Sequence, residues 1–145
     1  MSAAAQPLRG VLDTSTVILL ARFTDATELP QEPVITAVTL AELSVGPLVA
    51  QDERERAVRQ AHLQQAEADF DPLPFDAAAA RAFGRVAAAL RRAGRKTAGG
   101  TYDATIAATA IANQVPVYTC NPGDFAGIDD LQLVAIPAPP VLDAG

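Results

Sequence analysis

The chain has 145 residues, of which 50% are hydrophobic and 19% are charged, and its formal net charge is −6. This length favours one domain, residues 1–145, and the single cysteine, Cys120, excludes an intrachain disulfide framework. We find neither a bilayer-spanning apolar run nor a secretion signal, so we expect a cytoplasmic protein without a membrane partner. The negative charge argues against nucleic acid without excluding it, since net charge does not give the distribution of charges.

The first predicted strand is a short apolar run, Gly10–Leu12, and a helix from about Ser15 to Arg22 follows it, with Thr14 or Ser15 available as its cap. Asp13 lies between the two, at the carboxyl end of the strand, where open α/β folds bind ligands. The same position suits a carboxylate that only caps the helix. Taken alone, Asp13 therefore supports a reactive site and a simple cap equally.

A second strand is predicted over 34–36 and a second helix over 37–45, capped by Thr36 and ended by the glycine–proline pair that follows. Glu42 borders the apolar stripe of this helix, a position that usually indicates simple exposure. However, a strand–helix unit places the start of the helix beside the carboxyl end of the strand. Glu42 is therefore expected at the same sheet edge as Asp13.

A charged helix is predicted over 51–69, with His62 in solvent. Its weak apolar stripe consists of Ala57, Ala61, Gln64 and Ala68. With the segment 40–49 before it, this helix forms either an arm that binds a partner or an ordinary exposed helix. Two prolines in the next segment, 71–75, allow only an edge strand there.

Asp76 is expected to cap a long helix that reaches about Ala93. The buried face of this helix is predicted to contain Ala79, Phe83, Val86 and Leu90. The opposite face is basic and carries Arg81, Arg85, Arg92, Arg95 and Lys96. Such a stripe is most often solvated. It is also the most concentrated positive surface in the sequence, and so the best candidate for contacting phosphates.

A loop over 97–100 leads into a predicted helix over 101–112, which Thr101 caps. Asp103 lies in its first turn, where the helix dipole stabilises a carboxylate by about 0.3–1 kcal/mol, and this is a sufficient structural reason for its presence. Strands are predicted over 115–119 and 131–136.

The strand over 115–119 is followed by a turn that contains Asn121 and Asp124. At the ends of the chain, we expect residues 1–8 to be frayed and residues 137–145 to form an extended tail.

Four acidic residues are thus predicted at one edge of the sheet: Asp13, Glu42, Asp103 and Asp124. Carboxylates that crowd together need a compensating cation, because like charges at close range raise one another's pKa. Ligands that are all oxygen, without His or Cys, select Mg²⁺ or Mn²⁺. Such a site suits phosphoryl chemistry, in which one ion activates a bound water and a second stabilises the leaving oxygen.

The sequence resembles the PIN-domain ribonucleases that are the toxins of VapBC-type toxin–antitoxin pairs. The matching segments are Val11–Ser15, Thr39–Leu43, Tyr102–Ala110 and Thr119–Phe125, in the order of the family. The resemblance implies a three-layer α/β/α, Rossmann-like domain with a short, mainly parallel central sheet. It also implies an endoribonuclease that depends on one or two Mg²⁺ or Mn²⁺ ions, forms a homodimer and is restrained by a small antitoxin, whose C-terminal segment is buried near the active site.

By position, the resemblance makes the four acids catalytic and metal-binding, with Asp13 and Asp103 on the principal ion and Glu42 and Asp124 orienting water or a second ion. Water would attack an RNA phosphodiester in line, leaving a 3′-hydroxyl and a 5′-phosphate.

Supporting hydroxyls would come from Thr14, Ser15 and Thr119. Asn121 stands where some relatives carry their fourth acid, so either Asn121 or Asp124 contacts metal. Cys120 stands where relatives often carry Arg, which removes one phosphate contact.

Other protein classes also place acids at strand ends. A haloacid-dehalogenase-like phosphatase needs a second Asp where Ser15 stands. A receiver domain needs a lysine after a late strand, whereas the one lysine here, Lys96, precedes a helix. The remaining alternative is a catalytically silent PIN-like module that binds protein.

Overall fold

The computed structural model describes residues 8–95 and 100–140. Within them, four parallel strands form one sheet in the order β2-β1-β3-β4. The strands are β1 (Arg9–Leu12), β2 (Glu32–Val34), β3 (Val117–Thr119) and β4 (Leu133–Ala135). The helices are α1 (Thr14–Ile18), α2 (Ala37–Leu48), α3 (Glu53–Asp69), α4 (Ala77–Arg92) and α5 (Thr101–Ala112). None of the helices in these ranges is both long and apolar enough to span a membrane.

Hydrophobic cores cover both faces of the sheet, as a parallel sheet requires. Successive residues of a strand point to opposite faces. Val11 therefore packs in a core built mainly from α4 and α5, whereas Leu12 packs on the other side, in a core that includes Val17 of α1 and Leu43 of α2. This arrangement confirms the predicted three-layer α/β/α fold.

The register of the central strands aligns their carboxyl ends. Leu12 pairs with Tyr118, so Asp13, which follows β1, and Thr119, the last residue of β3, lie at the same edge of the sheet. Because Gly10 has no side chain, the Tyr118 ring and Pro30 can lie close to its backbone. A Cβ atom at Gly10 would lie 2.5 Å from the Tyr118 ring and 2.9 Å from Cβ of Pro30.

Two boundaries near the N-terminus differ from the sequence prediction. Asp13, rather than Thr14 or Ser15, caps α1, and this helix ends at Ile18 before a separate 3₁₀ turn. Strand β2 starts earlier than predicted and includes Pro33. A proline, which has no backbone N–H, is tolerated there because β2 lies at the edge of the sheet. The backbone groups on the outer side of an edge strand need no hydrogen-bond partner in the sheet.

The prediction that α2 ends before Gly46 and Pro47 is wrong. The helix continues through both residues to Leu48, and Thr36 caps its start as predicted. Pro47 falls in the last turn and is buried. The carbonyl oxygen of Gly46 accepts a hydrogen bond of 2.9 Å from Nη1 of Arg59, a residue of α3. Packing against α3 thus supports a helix end that the local sequence does not favour.

The predicted apolar stripe of α3 is also wrong. Its four members, Ala57, Ala61, Gln64 and Ala68, are all exposed. The helix packs instead through Ala66 and the half-buried Leu63, and His62 is half-buried rather than solvated. The packed face also includes the polar Arg59, which contacts Gly46 of α2. A pattern of hydrophobic residues alone does not reveal such a contact.

The segment 71–75 contributes a single parallel bridge, between Leu73 and Thr36, beyond the end of β2. Helix α4 is capped by Asp76 as predicted. Helix α5 begins at Thr101 itself, so the capping residue is Gly100 and the predicted Thr101 cap is wrong. The predictions for residues 1–7, 96–99 and 141–145 lie outside the described residues.

Candidate metal and active site

Asp13 is buried, with only 2% of its surface exposed, and hydrogen bonds hold both of its carboxylate oxygens. Its Oδ1 accepts from the backbone N–H of Thr16 at 3.2 Å and from the Thr16 hydroxyl. Its Oδ2 accepts from Ser15 Oγ at 3.1 Å and from Thr119 Oγ1 at 2.9 Å. The same side chain therefore caps α1 and faces the strand ends, so the two interpretations of Asp13 are compatible.

Thr16 is a site residue that the sequence analysis missed. It is completely buried, and its Oγ1 donates to Asp13 while accepting from the backbone N–H of Cys120 at 3.3 Å. The interpretation of Asp13 as a cap carries the signal that points to Thr16, because a capping side chain bonds the backbone N–H two or three positions later. Burial raises the pKa of the Cys120 thiol, so this group stays neutral. Unlike an arginine, it supplies no positive charge to a phosphate.

Glu42 reaches the same edge from α2. Its Oε1 accepts a hydrogen bond of 2.6 Å from Thr14 Oγ1, which lies 3.0 Å from the hydroxyl of Thr39. Burial raises the pKa of Glu42, and the nearby Asp13 carboxylate raises it further, while the Thr14 hydrogen bond opposes both. The Thr14 hydroxyl thus holds this carboxylate in a position where it interacts electrostatically with Asp13.

Asp103 shows the electrostatic coupling of all four acids. Burial raises its pKa from 3.8 to about 6, and the charges of Asp124, Asp13 and Glu42 contribute in that order. Arg95 opposes the shift. Asp103 and Asp124 line one cleft of about 330 Å³ with Arg95. The structure therefore brings four residues from distant parts of the sequence into one electrostatic environment.

Asn121 and Asp124 have different surroundings. The Asn121 side chain donates to Ser15 Oγ at 3.0 Å, and its backbone N–H donates to Thr119 Oγ1 at 2.9 Å. Asp124 lies one turn later, in the 3₁₀ turn Pro122–Phe125 and in the cleft with Asp103. This geometry favours Asp124 over Asn121 as a partner of Asp103.

The donor set fits a hard divalent cation that keeps part of its water shell. Among the described residues, no three carboxylate, imidazole or thiol groups are already close enough to hold one ion together. Mg²⁺ is commonly bound through one or two carboxylates and several waters. The four acids supply only oxygen ligands. Burial is the main cause of the raised pKa of Asp103, and the negative charges of the other three acids, which a cation would compensate, add to it.

Fold and site together define the class: an α/β/α domain with carboxylates at the carboxyl ends of parallel strands. The sequence profile of the PIN domain matches residues 11–131. The chain belongs to the PIN-domain family, which confirms the resemblance seen in its four segments.

Similar proteins agree with this assignment. Ribonuclease VapC5 of Mycobacterium tuberculosis is 40% identical over 132 residues, covering 90% of this chain and 95% of that protein. Ribonuclease VapC of Rickettsia bellii is 29% identical, covering 88% and 96%. The crystal structure of VapBC-5 from M. tuberculosis superposes with a TM-score of 0.76 at 35% identity, covering 90% of this chain and 100% of that chain. DNA-bound VapBC from Salmonella typhimurium gives 0.68 at 26% identity, covering 88% and 97%.

Proposed function

We propose that this chain is a metal-dependent endoribonuclease, the toxin of a VapBC-type toxin–antitoxin pair. The observation that carries the proposal is the gathering of Asp13, Glu42, Asp103 and Asp124 at one sheet edge, where burial and then the charges of the other three acids raise the pKa of Asp103. The relatives named Ribonuclease VapC support the choice of RNA as substrate.

The four acids hold one or two Mg²⁺ or Mn²⁺ ions in this proposal, with Asp13 and Asp103 on the principal ion. Such an ion, when bound, polarises the scissile phosphate and lowers the pKa of a water molecule. Asp13 has the most constrained carboxylate, because hydroxyl and amide donors fix both oxygens. Glu42, held by Thr14, and Asp124, across the cleft, orient the attacking water or a second ion.

A small antitoxin is the proposed protein partner, and a homodimer is the proposed assembly. Solved relatives named VapBC, including a toxin–antitoxin family member from M. tuberculosis, support the antitoxin. The tip of the α2–α3 hairpin also exposes several apolar side chains, of which Leu48 is 83% and Val49 62% exposed. Clustered apolar exposure of this kind is typical of a protein-binding surface. Homodimerisation rests on the family resemblance.

The test is incubation of the purified, partner-free protein with total RNA, with and without Mg²⁺ or Mn²⁺. We expect metal-dependent cleavage by the unsubstituted protein and its loss, by at least about 100-fold, in Asp13→Asn, because the neutral amide removes a ligand charge. The matched control is Asp76→Asn, which makes the same change at the cap of α4 and leaves the site intact.

Two results would contradict the proposal. Undiminished cleavage by Asp13→Asn, with its fold verified by circular dichroism, would exclude the assigned site. No cleavage with either metal, by a folded protein that still binds a protein partner, would instead favour the catalytically silent module.

A further inference from the structure

Positive charge is concentrated on one helix of an otherwise acidic chain. Residues 77–96 contain six of the eleven Lys and Arg residues and none of the seventeen acids. Three exposed arginines of α4, Arg81, Arg85 and Arg92, are spaced four and seven residues apart, so they share one helix face over roughly 16 Å. With the exposed Arg95 just beyond the helix, they form what we call the arginine strip.

The arginine strip keeps its charge available. The ion pairs found among the described residues belong to α3, where Arg56 and Arg59 pair with Glu53 and Glu55. Asp129 and Asp130 line a shallow cleft of about 230 Å³ together with Arg85 and Arg92, but none of these four forms an ion pair in the described part of the chain. The guanidinium groups of Arg85 and Arg92 are therefore not neutralised by an ion pair within the described residues, and they can contact an external anion.

The arginine strip is continuous with the carboxylate site. Ile128 lines both the cleft beside Arg85 and Arg92 and the cleft that contains Asp103 and Asp124. Arg95 stands at the junction, where its Nη1 donates to the carbonyl oxygens of Gly123 at 3.1 Å and Ala126 at 2.7 Å. These bonds tie the end of the strip to the turn that carries Asp124.

We propose that the arginine strip binds phosphates of the RNA strand on one side of the scissile bond. The strand would leave the carboxylate cleft over Ile128 and follow α4 past Arg92 and Arg85. Guanidinium groups suit this role, because they present several N–H donors to phosphate oxygens. Such contacts position the backbone without reading its sequence. The proposal rests on the proposed function, since that function places a phosphodiester at the four acids.

The experiment compares two double variants that remove the same charge. Arg85→Gln/Arg92→Gln alters the strip, and Arg54→Gln/Arg56→Gln alters exposed arginines of α3. Binding of a short fluorescein-labelled single-stranded RNA is measured by anisotropy in EDTA, over a range of salt concentrations, so that no cleavage interferes. We expect the strip variant to bind the RNA about tenfold more weakly at low salt. The slope of log binding constant against log salt concentration should become smaller in magnitude by roughly 1.4, as the loss of two phosphate contacts requires. The α3 variant should bind like the unsubstituted protein.

Equal RNA affinity of the two double variants would overturn the proposal that the arginine strip binds RNA. Absence of measurable RNA binding by the unsubstituted protein at low salt would overturn it as well. Metal-dependent cleavage is assayed separately. RNA binding that depends on the strip, without cleavage in Mg²⁺ or Mn²⁺, would retain the strip and reject the nuclease. Cleavage without any effect of the strip variant on affinity would retain the nuclease and reject the strip.

Discussion

At the scale of single residues, Asp13 shows how one carboxylate serves structure and site together. Its Oδ1 caps α1 through the N–H of Thr16, and its Oδ2 accepts from Thr119 at the end of a neighbouring strand. Because both oxygens are held, the side chain lies in a fixed orientation before any cation binds. A preorganised ligand of this kind loses little conformational entropy on binding.

Thr16 is expected to position Asp13. Replacing it by Val removes the hydroxyl that donates to Asp13 and leaves the Cys120 N–H without that acceptor, at a cost of about 1–3 kcal/mol in stability. We expect the affinity for Mn²⁺, measured by calorimetry, to fall roughly tenfold or more, as is usual when a group that orients a metal ligand is lost. Thr16→Ser, which keeps the hydroxyl, should restore the affinity.

Thr109→Val is the matched control for this prediction. Thr109 is equally buried, but its hydroxyl donates to the Thr105 carbonyl within α5, at 2.9 Å. We expect this variant to bind Mn²⁺ normally. An unchanged Mn²⁺ affinity in Thr16→Val would show that the Thr16 hydroxyl has no positioning role.

Asp103 predicts a pH dependence of the metal-free protein. Because the pKa of Asp103 is raised from 3.8 to about 6, the folded protein binds a proton in this range that the unfolded chain has released. Its contribution to stability is therefore present below about pH 4 and is lost as the pH rises through about 6. We expect Asp103→Asn to raise Tm at about pH 7 by only roughly 2–4 °C, because water screens this half-buried group. The difference in Tm should vanish near pH 4, where the Asp103 carboxyl is already neutral in the folded protein.

Thermal denaturation in EDTA at the two pH values measures this difference. Asp71→Asn, at an exposed position outside the four acids, controls for the general effect of removing a negative charge. A Tm difference between Asp103→Asn and the unsubstituted protein that is the same at both pH values would contradict the raised pKa of Asp103.

Protonation of Asp103 should also weaken Mn²⁺ binding as the pH falls below about 6.

At the scale of elements, the α2–α3 hairpin depends on Arg59. Its guanidinium donates to the Gly46 carbonyl, and a Cβ atom at Gly46 would lie 3.3 Å from Arg59 Cδ, so the two helices are in close contact here. We expect Arg59→Met, which keeps the aliphatic stem, to lower the free energy of unfolding by about 1 kcal/mol, because the last turn of α2 loses a hydrogen-bond partner.

Urea denaturation measures this loss, with Arg56→Met as its control. Arg56 forms an exposed ion pair with Glu53 at 3.6 Å, and removing it should cost less than about 0.5 kcal/mol. If both variants lose the same amount, the contact with Gly46 does not support the helix end.

Element boundaries could be predicted where the signal is local. The caps Thr36 and Asp76 and the apolar strand β1 are such cases, since a short polar side chain or an apolar run acts on its immediate neighbours. The extension of α2 through Pro47 and the packed face of α3 could not be predicted. Both depend on Arg59, whose partner lies 13 positions away on another helix.

At the scale of the whole molecule, the sheet explains why the grouping of the four acids could be predicted. Parallel strands present their carboxyl ends at one edge, so the position of each acid relative to a strand or a helix start was enough to place Asp13, Glu42, Asp103 and Asp124 in one region. The bond that Thr16 makes to Cys120 could not be predicted, because the register of β1 against β3 decides it. The four acids as metal ligands remain a prediction.

The bond from Thr119 to Asp13 joins positions 106 apart in the chain. While a ribosome is making this protein, Asp13 emerges early and Thr119 only near the end. The proposed nuclease thus stays unassembled throughout most of its own translation, and a nascent or prematurely terminated chain that stops before β3 has no complete pocket with which to cut the messenger that encodes it.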